Sequence, residues 1–299
     1  MRNRLIDELT ELAEIDKRVV LLTADLGFGV VDSFMKRHPD HFINVGVAEQ
    51  AMIAIATGLA RAGMTPYCYS IATFASLRGF EFIRNGPVAH QLPVRILGVG
   101  PGFDYENDGL SHYAVDDLAV LRSQPDLQIW APANDFQFET HFEKMHNSSH
   151  PVYVRLPRKS TELPKEFESD TSNQSSVLLL IFGDALTEAL HVYTELSSIN
   201  IRVDVRHIVW MGSESAVFIR ELIAKYEICV TVETHYSWSG FGSWVLEIGH
   251  VLPCPPRVVI HGIESLPIGK LGSRAWLASK FMSNPQTTAT RVADAISRL

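Results

Sequence analysis

The chain has 299 residues, 46% of them hydrophobic and 20% charged, which suits one large or two ordinary globular domains with a sizeable core. Its 26 basic against 34 acidic side chains leave a formal charge of −8, with no Lys/Arg-rich run, which argues against nucleic acid or an anionic membrane as the main partner. Cys68, Cys229 and Cys254 are too few and too scattered for a disulfide framework or a metal clamp. The N-terminus lacks an apolar signal core, and no apolar run approaches the ~20 residues that span a bilayer. A reducing, cytoplasmic location is expected.

Leu5, Leu9, Leu12 and Ile15 recur at helical spacing and predict an amphipathic helix. The apolar run Val19-Val20-Leu21-Leu22 then predicts a buried parallel strand ending in the loop that carries Asp25. Phe42-Ile43-Asn44-Val45 predicts a second strand, and residues 50–60 a helix of small residues. Strands are further expected at residues 94–99, 127–130 and 152–154, with a helix over 136–145. This alternation predicts an α/β fold with mainly parallel sheets flanked by helices. Residues 163–176 are polar, Ser-rich and proline-initiated, and read as a linker between a first domain, 1–162, and a second α/β domain, 177–299. In the second domain, strands are expected at 177–182, 201–205 and 228–232, with a helix over 186–196.

Asp25, Glu49, Asp108 and His112 all follow apolar runs, and the loops at strand carboxyl ends are where open parallel sheets place ligands. Glu49 lies between a strand and a helix of Ala, Ile and Met. It reads either as a helix-start acid favoured by the macrodipole or as a carboxyl in an apolar setting, where it keeps its proton more readily. Asp108 reads on its own as a turn former and His112 as a structural histidine. Arg155 and Arg158 end a strand and suit either a solvated basic edge or a bidentate anion grip.

Read together, Gly46-Val47-Ala48-Glu49-Gln50, Ala72-Thr73-Phe74-Ala75, Asn107-Asp108-Gly109-Leu110-Ser111-His112 and Val154-Arg155-Leu156-Pro157-Arg158 resemble, in order and spacing, the pyrimidine-binding domain of the transketolase family. Val232-Glu233-Thr234-His235 and Gly240-Phe241-Gly242 are similar to that family's C-terminal domain. The resemblance implies a subunit of a thiamine-diphosphate enzyme that moves a two-carbon ketol unit from a ketose to an aldehyde. In that family a glutamate hydrogen-bonds N1′ of the aminopyrimidine, so that its N4′ nitrogen can take the C2 proton of the thiazolium; Glu49 matches it. Phe74 matches the aromatic that stacks on the aminopyrimidine, and Asp25 is placed among the cofactor-binding residues. Asp108 and His112 match residues that bind substrate hydroxyls, His112 also assisting proton movement. Arg155, Arg158 and Arg2 match positions suited to a substrate phosphate.

The family holds the diphosphate through Mg²⁺ on a Gly-Asp-Gly motif with a downstream Asn, on a different domain. No such motif occurs here; the nearest string, Gly183-Asp184-Ala185, opens the second domain. The resemblance therefore implies the C-terminal subunit of a split transketolase, with no metal ligands of its own. The expected assembly is an α2β2 heterotetramer with a separate subunit that carries the motif. Gly29 stands where a phosphate-binding Ser is common, and no His precedes Asp108 where one is common. The substrate is thus expected to be an unphosphorylated sugar, or a phosphorylated one held mainly by Arg155 or Arg158. Competing readings are the β-subunit of a 2-oxo acid dehydrogenase, which the Gly-Val-Ala-Glu-Gln string fits less well, and a non-catalytic scaffold, which would not need Glu49, Phe74, Asp108 and His112 together.

Overall fold

The computed structural model describes residues 1–168 and 175–299. Eleven strands form two sheets among these residues. The first contains β1 (Val19–Thr23), β2 (Phe42–Asn44), β3 (Thr65–Ile71), β4 (Arg95–Val99), β5 (Gln128–Trp130) and β6 (Val152–Leu156). It also takes in the short β9 (Trp210–Met211), giving the order β2-β1-β3-β4-β6-β5-β9. The second contains β7 (Val177–Phe182), β8 (Asp204–Ile208), β10 (Ile228–Tyr236) and β11 (Arg257–Ile263), in the order β11-β10-β7-β8. Every pairing is parallel except β5 with β9.

The sequence of β1 shows why this sheet is sandwiched. Val19 and Leu21 pack on one face with Leu5, Ile6 and Leu9 of the helix Arg2–Ile15. Val20 and Leu22 pack on the other with Met52, Ile53 and Ala56 of the helix Glu49–Arg61. All five residues of β1 are buried, the near-continuous apolar run expected of a parallel strand covered on both faces. Each buried Leu or Ile contributes about 1.5–3 kcal/mol of burial free energy, so this double packing fixes the register of the strands that carry the site.

The expected α/β class and the expected helices are present, the helices running Arg2–Ile15, Glu49–Arg61, Asp135–His146 and Leu186–Ser198. β3 and β11 were not anticipated. β3 opens on Thr65-Pro66, and proline disfavours a central strand because it donates no ladder hydrogen bond; Pro66 sits one residue inside the strand start. β8 begins three residues later than expected, at Asp204. β9 crosses the expected division, since residues beyond the linker complete the first sheet through the Trp210↔Trp130 pair, whose rings stack at 5.3 Å. Of the linker expected at 163–176, residues 169–174 lie outside the described residues. No helix among the described residues is long and apolar enough to cross a membrane.

Candidate active site at the carboxyl edge of the first sheet

Because β1, β2, β3, β4 and β6 run parallel, their carboxyl ends share one edge, and the loops that leave it carry the polar residues singled out by the sequence. Asp25 follows β1, Glu49 follows β2, Phe74 follows β3, Asp108 and His112 follow β4, and Arg158 follows β6.

Glu49 is the first residue of its helix and is 0% exposed. Its approach is set by Asn44 at the end of β2. The Asn44 Oδ1 accepts the backbone N–H groups of Asp25 and Gly46, each at 3.0 Å, and its Nδ2 donates to Asp25 Oδ1 at 3.2 Å. Asp25 is held at a φ of 56° and Gly46 at 73°, so the two loops meet through left-handed turns pinned by one amide. Glu49 Oε1 accepts from Ser70 Oγ at 3.2 Å, and Oε2 from Arg78 Nη1 at 2.6 Å. Of the two readings of Glu49, its place as first helix residue agrees with the helix-start acid, while the wholly apolar setting is corrected: the carboxyl is buried, but a hydroxyl and a guanidinium face it.

Phe74 starts a wide π-type turn, Phe74–Arg78, of the kind that recurs at functional sites. Its ring lies edge-on to His112, with centroids 4.9 Å apart, and the Arg78 guanidinium carbon sits 4.2 Å above it. His112 is oriented by Ser111, whose Oγ lies 3.0 Å from Nδ1, and Thr73 Oγ1 donates to the Ser111 carbonyl at 2.9 Å. Asp108 is exposed on the same loop. Glu49, Phe74 and His112 thus stand together, joined through Arg78 and the Thr73–Ser111 bond.

Arg158 is exposed and lies 4.7 Å from the Tyr105 ring centre, with its Nη1 donating to the Asp104 carbonyl at 3.1 Å. Arg2 lies close enough to the neighbouring Tyr69 for its charge to act on that hydroxyl. Burial pushes the Tyr69 hydroxyl up to about 12, while the charges of Arg2 and Arg158 pull the other way. Two cations therefore converge beside Tyr69 and Tyr105.

Arg155 does not join them. It is 1% exposed, donating from Nε to Asp117 Oδ2 at 2.9 Å, from Nη1 to Thr234 Oγ1 at 3.0 Å, and from Nη2 to the Ala114 and Thr234 carbonyls at 2.7 and 2.9 Å. Its expected role as an anion ligand is corrected, and so is the alternative of a solvated edge. Four of the five guanidinium N–H groups are hydrogen-bonded inside the protein, where they tie the first sheet to β10. The similar Glu233 is also structural: it accepts the N–H groups of Phe241 and Gly242 at 2.6 and 2.9 Å and so caps the helix Phe241–Gly249.

Sequence reading missed Asn44, Ser70, Arg78 and Tyr105. Only Arg78 left a signal, its spacing of four from Phe74. Among the described residues no group of three His, Cys, Asp or Glu side chains is arranged to hold a metal ion.

The profile of the transketolase pyrimidine-binding domain matches residues 1–164. The chain belongs to the transketolase family. It is 32% identical over 260 residues to a protein of Methanocaldococcus jannaschii described as a transketolase C-terminal section, covering 83% of this chain and 81% of that one. It is 31% identical over 293 residues to a 6-deoxy-6-sulfo-D-fructose transketolase subunit of Clostridium sp. (strain MSTE9), covering 94% and 89%. Among solved structures it superposes on a split-gene transketolase described as an inactive β4 tetramer, with a TM-score of 0.81, 27% identity and coverage of 99% of this chain and 98% of that one.

Proposed function

We propose that this chain is the pyrimidine-binding subunit of a thiamine-diphosphate transketolase that moves a two-carbon ketol unit from a ketose donor to an aldehyde acceptor. Residues 1–162 form its pyrimidine-binding domain, 163–176 a linker and 177–299 its C-terminal-like domain. The diphosphate and its Mg²⁺ are held by a separate subunit carrying the Gly-Asp-Gly motif, in an α2β2 assembly in the cytoplasm. The carrying observation is that one fully buried carboxylate, Glu49, and the ring face of Phe74 are bridged by a single planar group at the carboxyl edge of the sheet. A planar group bearing N–H donors already fits between the two, namely the guanidinium of Arg78, so the donor set suits an aminopyrimidine.

When bound, thiamine diphosphate supplies the nucleophilic thiazolium carbon that cleaves and rebuilds the bond next to the substrate carbonyl. Glu49 binds N1′ of the aminopyrimidine and holds the proton there. Phe74 stacks on the ring, and Asp25, pinned by Asn44, shapes the cofactor loop. His112 and Asp108 bind substrate hydroxyls, His112 moving a proton at the reacting carbon. Of the three arginines expected to hold an anion, Arg158 and Arg2 keep that role without Arg155, so the substrates are sugars that end in an anionic group. The name of the Clostridium relative, a sulfosugar transketolase subunit, supports that class without fixing the anion.

Mixing the purified chain with the companion subunit tests this reading. Ketol transfer with thiamine diphosphate and Mg²⁺ is expected from the mixture and from neither subunit alone. Turnover by this chain alone would refute the split arrangement, and oxidative decarboxylation of a 2-oxo acid by the mixture would move the chain to the dehydrogenase class.

A further inference from the structure

Arg78 has no part in the chemistry assigned above, yet it touches both groups that define the cofactor site. Its Nη1 donates to Glu49 Oε2 at 2.6 Å, and its guanidinium carbon lies 4.2 Å over the Phe74 ring. Glu49 is 0% exposed whereas the Arg78 side chain is 42% exposed, so the arginine reaches inward from the surface. The second carboxylate oxygen is taken by Ser70, whose hydroxyl is itself buried. Of the two Glu49 contacts, only the one to Arg78 can be released toward solvent.

A guanidinium and an aminopyrimidine protonated at N1′ share the features this site reads: a planar, delocalised framework that stacks on an aromatic face, and an N–H directed in plane at a carboxylate. Both cannot lie on Phe74 and bond Glu49 at once. We propose that Arg78 is a built-in stand-in for the aminopyrimidine, occupying its place in the cofactor-free chain and swinging out when the cofactor binds; this rests on the reading of Glu49 and Phe74 as the pyrimidine site. The stand-in has a physical purpose. A buried carboxylate left without a partner is strongly destabilising, and a chain folded before it meets cofactor would face that cost. The long side chain of Arg78, rooted on the exposed side of the π-type turn, supplies the counter-charge and can leave without disturbing the core. The contact consequently weakens cofactor binding by the free energy needed to break it, and releases a positive charge at the rim of the site.

The test titrates thiamine into the purified full-length chain and its Arg78→Gln variant, followed by calorimetry or ligand-observed NMR. Alongside it, denaturant unfolding compares Arg78→Gln, Glu49→Gln and the double variant. Arg78→Gln is expected to bind thiamine about tenfold more tightly than the wild type, equivalent to about 1.4 kcal/mol. It is also expected to lose stability that is largely not lost in the Glu49→Gln background. Should Arg78→Gln fail to fold, Arg78→Lys carries the same comparison, because it keeps the charge and loses the planar stack. Equal or weaker thiamine binding by the variant, or stability losses that simply add, would overturn the stand-in and leave the pyrimidine site in place. If neither the wild type nor the variants bind thiamine, the stand-in and the cofactor reading fall together.

Discussion

The Nε of Arg155 lies 2.9 Å from Asp117 Oδ2 in a space closed to solvent, and the other Asp117 oxygen, Oδ1, is buried with no hydrogen-bond partner. The pair is thus a buried salt bridge in which Arg155 supplies the counter-charge and the Tyr153 hydroxyl a second hydrogen bond to Asp117 Oδ2, at 2.9 Å. Arg155→Leu would leave Asp117 buried with Tyr153 as its one donor and no counter-charge, and would remove the donors to Thr234, so a stability loss of about 3–5 kcal/mol is expected in urea unfolding. An unchanged unfolding midpoint together with a raised KM would return Arg155 to the substrate.

Arg158 and Arg2 should behave in the opposite way. Arg158 is exposed, so Arg158→Ala should shift stability by no more than about 0.5 kcal/mol. Losing a charge-assisted bond to an anion costs about 1.5–3 kcal/mol, which is roughly a 10- to 100-fold rise in KM. With the reconstituted enzyme, the rise should appear for sugars ending in phosphate or sulfonate and be absent for neutral analogues. Equal losses for both classes would remove the arginines from the anion site.

Acid should destabilise the chain through two buried histidines. Burial lowers both His235 and His261 to about 4, against an ordinary 6.5, so the folded chain excludes protons that the unfolded chain takes up. Their contribution is complete above pH 6.5 and is lost as the pH falls toward about 4. Glu233 opposes them. Burial raises it to about 7 from 4.5, so its contribution is greatest below pH 4.5 and is lost as the pH rises through about 7. Two histidines against one carboxyl, displaced by comparable amounts, give a net loss on acidification. Unfolding midpoints between pH 7 and 4 should therefore fall, and fall less steeply in His261→Asn. A profile unchanged by that substitution would refute the assignment.

The fold was legible wherever apolar runs were unbroken. Val19-Val20-Leu21-Leu22 and Val177-Leu178-Leu179-Leu180-Ile181-Phe182 are too short for ordinary buried helices and so read as buried strands, and both are strands. β3 was hidden by Pro66, and β11 by the His261-Gly262 pair inside it. Within the site, the ordered motifs pointed to Glu49, Phe74 and His112, and the parallel topology brings those three together. Arg155 and Arg158 looked alike because both are arginines near a strand end. Strand alternation places Arg155 on the face of Tyr153, toward Asp117, while Pro157 carries Arg158 off the sheet. The partners that decide such cases, Asp117 at 38 residues' separation and Thr234 at 79, are tertiary and leave no local trace. The spacing of Arg78 from Phe74 is a local signal, but its partner Glu49, 29 residues away, is not.

The activating role of Glu49 is tested most directly by Glu49→Gln in the enzyme reconstituted with its companion subunit. The substitution keeps the shape of the side chain and removes the proton-holding carboxylate. Assembly should be retained while kcat falls by about 10²–10⁴-fold, the usual contribution of a positioned acid–base group. A Glu49→Gln enzyme that assembles and turns over at the wild-type rate would contradict the assignment.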